Sequence, residues 1–306
     1  MATSEGGKLP IIILGCPRSG TTLLRRLMNA HPSVHCAGET FLLRAAVRFL
    51  SSETVAEGLD YGPIGGLGAL DVQADGLKGR LREFVLQFHE QLAAEAGKPR
   101  FAIKTAVDSF YVPQIVDLFR GHAQFVCILR HGMDVAVSLR EFTDVMEGPI
   151  EELMPFLQQQ RRFMPAYAAA WAKVTTDILE AAEQYPDDVL AVRYEDLVAQ
   201  PEDSLAGIFD FLGEPCDAAE LIDRAFQPAE VSGLGDYKTY ATRGLVKENE
   251  GRWHELPERV QAEMAPIVNP LLERLGYGPV TASAAQSDAM RLHELAMMYK
   301  TTRDDG

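Results

Sequence analysis

Short, wholly apolar runs alternate along the chain with stretches in which apolar residues recur every three or four positions. Ile11 to Leu14 is an uninterrupted apolar run, rich in β-branched residues and stopped by Gly15, the pattern of a strand buried on both faces. A glycine-bearing turn follows, and then a helix over Thr21 to Ala30 with Leu23, Leu24, Leu27 and Met28 on one side, stopped by His31-Pro32. Further strands are predicted at Ser33 to Cys36, Phe101 to Ile103, Gln124 to Leu129 and Val189 to Val192. Helical patterns follow the last three, over Pro113 to Arg120, Asp134 to Glu141 and Ser204 to Leu212. Strands alternating with helices predict an α/β fold, a doubly wound parallel sheet flanked by helices. Ser51 to Asp75 is rich in small residues and reads as a loop or excursion. Glu151 to Gln184 reads as a long helical region containing Trp171, and Val231 to Trp253 as an ordered loop or lid near a site. With no repeat or linker, the pattern predicts one domain over residues 1–280. Residues 281–306 then form a peripheral helix (Ser287 to Lys300) and a frayed tail.

Composition narrows the function classes. Of 306 residues, 47% are apolar and 24% charged, ordinary for a chain that buries a large core. Acidic residues number 44 against 29 basic, for a net charge of −15. Such a surface disfavours nucleic acids and anionic membranes as partners, and makes any local cluster of cations informative. Cys16, Cys36, Cys127 and Cys216 form no CxxC pair and read as reduced thiols, neither a disulfide frame nor a zinc site. The apolar run near the N-terminus is too short for a signal sequence or membrane span, so a cytoplasmic location is expected.

The most informative stretch is Gly15-Cys-Pro-Arg-Ser-Gly-Thr-Thr22, between a strand and a helix. Amides at such a turn, with the helix dipole behind them, make a preformed anion site. The Gly15-x4-Gly20 spacing is that of an NTPase P-loop, but Thr21 stands where the triphosphate-binding lysine belongs. Arg18, Ser19, Gly20, Thr21 and Thr22 suit a smaller diphosphate-like group held without a metal. Simple capping of the helix accounts for one hydroxyl only.

Ligands of open parallel sheets sit beyond the carboxyl ends of the strands. Glu39, Lys104, Arg130 and Tyr194 all follow predicted strands, and Ser138 lies in the helix after Arg130. As a set they point to one crevice. For each a plainer role is open: Arg130 pairing with Asp134, Tyr194 as core, Lys104 in a surface salt bridge.

Pro17-Arg-Ser-Gly-Thr-Thr-Leu23 resembles the 5′-phosphosulfate loop of sulfotransferases that use 3′-phosphoadenosine-5′-phosphosulfate (PAPS). Ala30-His-Pro32 and Cys36-Ala-Gly-Glu-Thr40 extend the likeness toward the tyrosylprotein sulfotransferases, and Gly251-Arg-Trp253 and Leu275-Gly-Tyr-Gly-Pro279 carry it weakly further. The resemblance implies a P-loop-type fold and sulfuryl transfer from PAPS to a hydroxyl, leaving PAP, with no metal. It implies Glu39 as general base, Arg18 and Lys104 neutralising developing charge, and Arg130 with Ser138 on the 3′-phosphate. Tyr194, and Lys247 and Arg252 in the late loop, would touch the nucleotide. His31, His35 and His131 are alternative bases. In the tyrosylprotein branch an arginine stands two residues after the glutamate; here it is Phe41, followed by Leu42 and Leu43. A small-molecule, lipid or secondary-metabolite acceptor is therefore expected ahead of a protein tyrosine, and a homodimer is left open. The alternatives from other classes are a kinase-like phosphoryl transferase and an inactive PAP-binding relative.

Overall fold

The computed structural model describes residues 8–51, 53–54, 60–71, 73–227 and 250–281. Five strands form one parallel sheet: β1 (Ile11–Leu14), β2 (Val34–Cys36), β5 (Arg100–Lys104), β6 (Gln124–Leu129) and β7 (Val189–Arg193), in the order β2-β5-β1-β6-β7. A separate two-residue antiparallel ladder joins β3 (Glu53–Thr54) to β4 (Asp60–Tyr61). The central strand β1 has every residue buried, as its unbroken apolar run requires. Alternation sends Ile11 and Ile13 into one apolar cluster, and Ile12 and Leu14, equally buried, to the other face.

Helix α1 (Thr21–Ala30) supplies Leu23, Leu24, Leu27 and Met28 to that cluster. It is joined there by α9 (Tyr194–Ala199), α10 (Pro201–Phe211) and α11 (Ala218–Phe226). Helices α2 (Leu42–Phe49), α4 (Ala74–Glu95) and α5 (Val112–Phe119) pack on one another, with α4 against β5. The doubly wound parallel sheet expected from the alternating pattern is therefore present. The predicted long helix beginning at Glu151 is interrupted: a 3-10 turn at Glu151–Leu153, then α7 (Met154–Gln159), then α8 (Phe163–Gln184). The Ser51 to Asp75 excursion holds the small ladder, α3 (Pro63–Gly68) and the start of α4. The expected Ser287 to Lys300 helix, the tail, and residues 231–249 of the late loop lie outside the described residues.

The chain divides into two compact units, Met1–Arg130 with Val174–Glu248, and His131–Lys173 with Asn249–Gly306. The first holds the whole sheet. In the second, α6 (Gly132–Val145) opens on a glycine against which Trp171 packs so closely that a Cβ there would lie 2.5 Å from the indole. Asp134 accepts the backbone amides of Gly251 (2.8 Å) and Trp253 (3.2 Å), and the Trp253 ring stacks on His131. All four cysteines are free thiols, three buried and Cys216 half-buried. Burial pushes the Cys127 thiol up to about 12. Among the described residues no helix is long and apolar enough to cross a membrane.

A buried ion cluster ties β5 to the chain after α10. The Arg100 guanidinium donates to Glu214 (3.0 Å), to Gln124 and to the carbonyls of Leu9 and Leu212, and Lys8 pairs with the same glutamate. Burial alone would raise the Glu214 carboxyl, but bonds from Lys8 and Arg100 outweigh it and hold it below its ordinary 4.5. Removing one member of a buried pair leaves the other charge exposed to the low-dielectric interior. Glu214→Gln is expected to cost roughly 3 kcal/mol, at the low end for such a pair because Arg100 keeps other acceptors. A depressed carboxyl contributes stability above its unfolded value, which is lost as pH falls through its folded value. Urea titrations should therefore show the gap between wild type and variant wide at pH 7 and closing below pH 4.5; a gap constant with pH would exclude the linkage.

Candidate functional site

The turn after β1 is closed by local constraints on each residue. Gly15 lies so close to β6 that a Cβ would meet the Ile128 carbonyl at 2.6 Å, and its amide donates to the buried Ser109 hydroxyl at 2.8 Å. The Ser19 amide donates back to the Cys16 carbonyl at 2.9 Å, and Arg18 takes a left-handed φ of 76°. Gly20 has φ 99°, and its missing Cβ is the space filled by the Tyr194 ring, whose Cδ2 would be 2.4 Å away. Only glycine fits there.

Helix α1 starts directly from this turn. Its first helical bond runs from the Leu24 amide to the Gly20 carbonyl at 3.0 Å, so the amides of Thr21, Thr22 and Leu23 have no intrahelical acceptor. No side chain caps this end and no acidic residue occupies its first turn. The Ser19 hydroxyl is buried and makes no hydrogen bond. An orphaned Ser19 hydroxyl and a helix dipole of the right sign fit an anionic phosphate-like group.

Three cationic side chains reach this turn, in a chain whose net charge is −15. Arg130, at the end of β6, donates to the Arg18 carbonyl at 2.9 Å, and its guanidinium lies 4.8 Å from the centre of the Tyr194 ring. Arg18 lies in the turn itself. Lys104, the last residue of β5 and 2% exposed, donates to the Thr22 hydroxyl at 3.2 Å and to Glu39 at 2.5 Å. Strand pairing sets this level, since Lys104 sits opposite Ile13, next to the last residue of β1. Lys104 is therefore no surface salt bridge: it is buried and joins the turn to the Glu39 carboxylate.

Glu39 stands in the segment between β2 and α2. Arg25 of α1 holds that segment through the Ala37 carbonyl at 2.7 Å. Thr40 bonds His89 at 3.0 Å; the other His89 nitrogen faces the Val85 carbonyl, so Nδ1 carries the proton and Nε2 accepts from Thr40. Burial lowers the His89 pKa, which favours this neutral form. Phe41 takes φ 58°, its amide donates to the Thr105 hydroxyl at 3.3 Å, and the Arg44 guanidinium lies over its ring.

The sequence thus placed Arg18, Ser19, Gly20, Thr21, Thr22, Glu39, Lys104, Arg130 and Tyr194 together, and the sheet-bearing unit brings all nine to one place. The Tyr194 ring is 6% exposed and packed against Gly20, so the core role and the site role coincide in it. Ser138 is buried on α6 in the second unit. Arg252, also there, makes a bidentate pair with Glu141 through Nη1 (3.1 Å) and Nη2. Lys247 lies outside the described residues. Leu43, read with Phe41 and Leu42 as pointing to an apolar acceptor, is fully buried, because α2 turns that position into its packing face. His31 is structural. The Ser33 amide donates to its Nδ1, so Nε2–H is spent on the Pro215 carbonyl. Sequence reasoning passed over Thr105, Asp108 and Ser109, which lie within five residues after Lys104. The only signal was polar residues just beyond a strand end.

Gly20→Ala forces a side chain into a left-handed residue and against the Tyr194 ring. The backbone strain alone is of order 1–3 kcal/mol. Chemical denaturation should show a loss at least that large, and an unchanged midpoint would mean that the turn is not packed as described.

The profile of the Sulfotransferase family matches residues 10–218. Over 281 residues the chain is 29% identical to protein-tyrosine sulfotransferase 1 of Danio rerio, spanning 89% of this chain and 73% of that protein. The sulfotransferase domain from the curacin biosynthetic pathway shares its fold, with a TM-score of 0.58 and 21% identity, covering 89% of this chain and all of the other. A mouse sulfotransferase complexed with PAP shares the fold at a TM-score of 0.50 and 16% identity, covering 87% and 85% of the two chains. The match runs from the central strand, through the glycine-bearing turn and the strand-end residues Lys104 and Arg130, to the start of α11. The chain belongs to the sulfotransferase family.

Proposed function

We propose that this chain transfers a sulfuryl group from PAPS to a hydroxyl acceptor, with Glu39 as general base. The observation that carries the reading is the Lys104 ammonium shared between Thr22, at the anion-binding end of α1, and Glu39. One buried cation thereby spans the donor side and the acceptor side of the site. The residues fit a nucleotide with a 5′-phosphosulfate: Ser19, Thr21, Thr22 and the first amides of α1 for its phosphate, with Arg18 adding charge. Arg130 would take the 3′-phosphate, a dianion suited to a guanidinium. PAPS supplies an activated sulfuryl group whose sulfur–oxygen bond to the 5′-phosphate breaks as the acceptor oxygen bonds to sulfur.

Glu39 takes the acceptor's hydroxyl proton as that oxygen attacks. A base of this kind contributes about 10²–10⁴ in rate. Lys104, already beside Glu39, holds positive charge next to the oxygen that leaves, and Arg18 does the same from the turn. Donors fixed before the reaction carry little reorganisation cost. Thr21 in place of a P-loop lysine argues against a triphosphate donor and a kinase-like reaction.

For the acceptor, Phe41 presents an aromatic ring two residues after Glu39. An aromatic or otherwise apolar small-molecule alcohol or phenol fits that surface, and a chain of net charge −15 repels acidic peptides. A protein tyrosine is the second reading, supported by the likeness to the Danio rerio protein and by the Arg44 guanidinium beside the Phe41 ring.

Calorimetry in EDTA should detect PAP binding at micromolar or better affinity and no comparable binding of ATP with or without Mg²⁺; the reverse preference would overturn the reading. Glu39→Gln should lower kcat by about 10²–10⁴ while leaving the PAP dissociation constant within threefold. Full turnover by the variant removes Glu39 as the base. A wild type that binds PAP but sulfates nothing in a pool of phenols, alcohols and tyrosine peptides would point to a binding relative instead.

A further inference from the structure

The segment Thr105–Ser109, which follows Lys104, carries three buried polar side chains that the proposed chemistry does not use: Thr105, Asp108 and Ser109 are all fully enclosed. Each reaches a different part of the site. Ser109 accepts the Gly15 amide of the anion-binding turn at 2.8 Å. Thr105 accepts the Phe41 amide at 3.3 Å, and Asp108 accepts the Arg44 amide at 3.3 Å. The Thr105 hydroxyl also bonds to the Asp108 carboxylate.

The helix that Asp108 touches explains why an acceptor is needed there. In α2 the N-cap residue is Phe41, with Leu42, Leu43 and Arg44 as its first three helical positions. An N-cap side chain ordinarily accepts the amide of the second or third helical residue. Phe41 has no oxygen to offer, and no side chain of its own segment caps the helix. Asp108 delivers that acceptor from another strand end, to the amide an aspartate at position 41 would have reached. A carboxylate there also meets the positive end of the helix dipole. The N-cap residue, Phe41, is the one in the strained left-handed conformation, two residues from Glu39.

We propose that Asp108 is a positioning residue for the general base: with Thr105 it caps α2 from outside and so fixes the Glu39–Phe41 turn over Lys104, while Ser109 holds the donor turn from the same short segment. The proposal rests on the assignment of Glu39 as base but concerns only how its turn is held. Burial, opposed by bonds from the Arg44 amide and Thr105, places the Asp108 carboxyl at about 7, with the Glu39 charge adding to the rise. The groups facing it are Glu39 and Arg44 across the gap and Thr105 on its own segment. A side chain so poorly solvated is retained here because a helix end depends on it.

Amide hydrogen exchange across residues 38–46 provides the direct test, because it needs neither nucleotide nor acceptor. Asp108→Ala should speed exchange in that segment at least tenfold while β1, β5 and β6 keep wild-type protection. Asp108→Asn, which keeps an acceptor oxygen for the Arg44 amide, should restore protection to within threefold. Thr105→Val, which keeps shape and loses the hydroxyl, should give a smaller local loss and covers the case in which Asp108→Ala does not fold. With PAPS and 4-nitrophenol as the probe acceptor, Asp108→Ala should lower kcat at least tenfold and leave the KM for PAPS and the PAP affinity within twofold, with Asp108→Asn recovering most of the rate. Unchanged exchange at residues 38–46 in the Asp108→Ala and Thr105→Val variants overturns the proposal, as does an Asp108→Asn variant as impaired as Asp108→Ala. Failure of wild type to bind PAP would instead remove the functional reading and leave the helix-capping result standing.

Discussion

A lysine ammonium enclosed by protein must be met by oxygen atoms, and that requirement organises the candidate site. Taking such an ion out of water costs several kcal/mol even after relaxation, so its partners are not optional. Lys104 is 2% exposed and meets Glu39 at 2.5 Å and Thr22 at 3.2 Å. Three segments remote in sequence are thereby drawn to one point: the start of α1, the turn after β2 and the end of β5. The parallel register of β5 against β1 sets the height at which this happens, because Lys104 lies opposite Ile13. The glycine-bearing turn leaves β1 just beyond that level. The same pairing that builds the core therefore places the charge.

Two non-glycine residues in left-handed conformation stand in the segments that meet that lysine, Arg18 before α1 and Phe41 before α2. Such residues persist only where their surroundings over-determine them. The Arg18 carbonyl is gripped by Arg130, and the Phe41 amide by Thr105. In both cases the restraint comes from the end of a different strand, so the strain is opposed by the sheet and not by the local chain. Gly20 is the converse case, a left-handed residue that must stay bare because the Tyr194 ring fills the space of a side chain. Tyr194 in turn lies against the Arg130 guanidinium, which links packing under the turn to charge beside it.

The second unit follows the same logic with aromatic and carboxylate anchors. Trp171 lies on Gly132 at the opening of α6, and the Thr143 hydroxyl meets the Tyr167 hydroxyl at 2.8 Å beneath it. Asp134, in the first turn of α6, is placed to accept two backbone amides with one residue between them, those of Gly251 and Trp253. His131 then has Trp253 stacked parallel on it and Tyr277 at its edge. The Gly251-Arg-Trp253 motif thus anchors the chain entering the helix Glu258–Arg274, with Arg252 paired to Glu141.

The sequence by itself determined the parallel sheet, because a strand buried on both faces must be apolar throughout and Ile11 to Leu14 is. It marked the glycine-bearing turn between β1 and α1, because Gly15 and Gly20 stand where the backbone must pass close to β6 and Tyr194. It also set the strand-end cations, since alternation of strand and helix fixes which end of each strand faces the crevice. Elements without a clean period stayed hidden. The last helix among the described residues, Glu258–Arg274, carries Pro266 and Pro270 inside it, each of which removes a helical bond, so only tertiary packing makes it helical. Helix α2 begins at a phenylalanine with no capping side chain, and its cap lies on a segment more than sixty residues away in sequence. Tertiary structure alone decided that Lys104 is buried, that Leu43 is core while Phe41 is not, and that Thr105, Asp108 and Ser109 belong to the site. The reason is common to all of these: local sequence specifies backbone geometry and periodicity, whereas the burial and partner of a polar side chain depend on which distant segment folds against it.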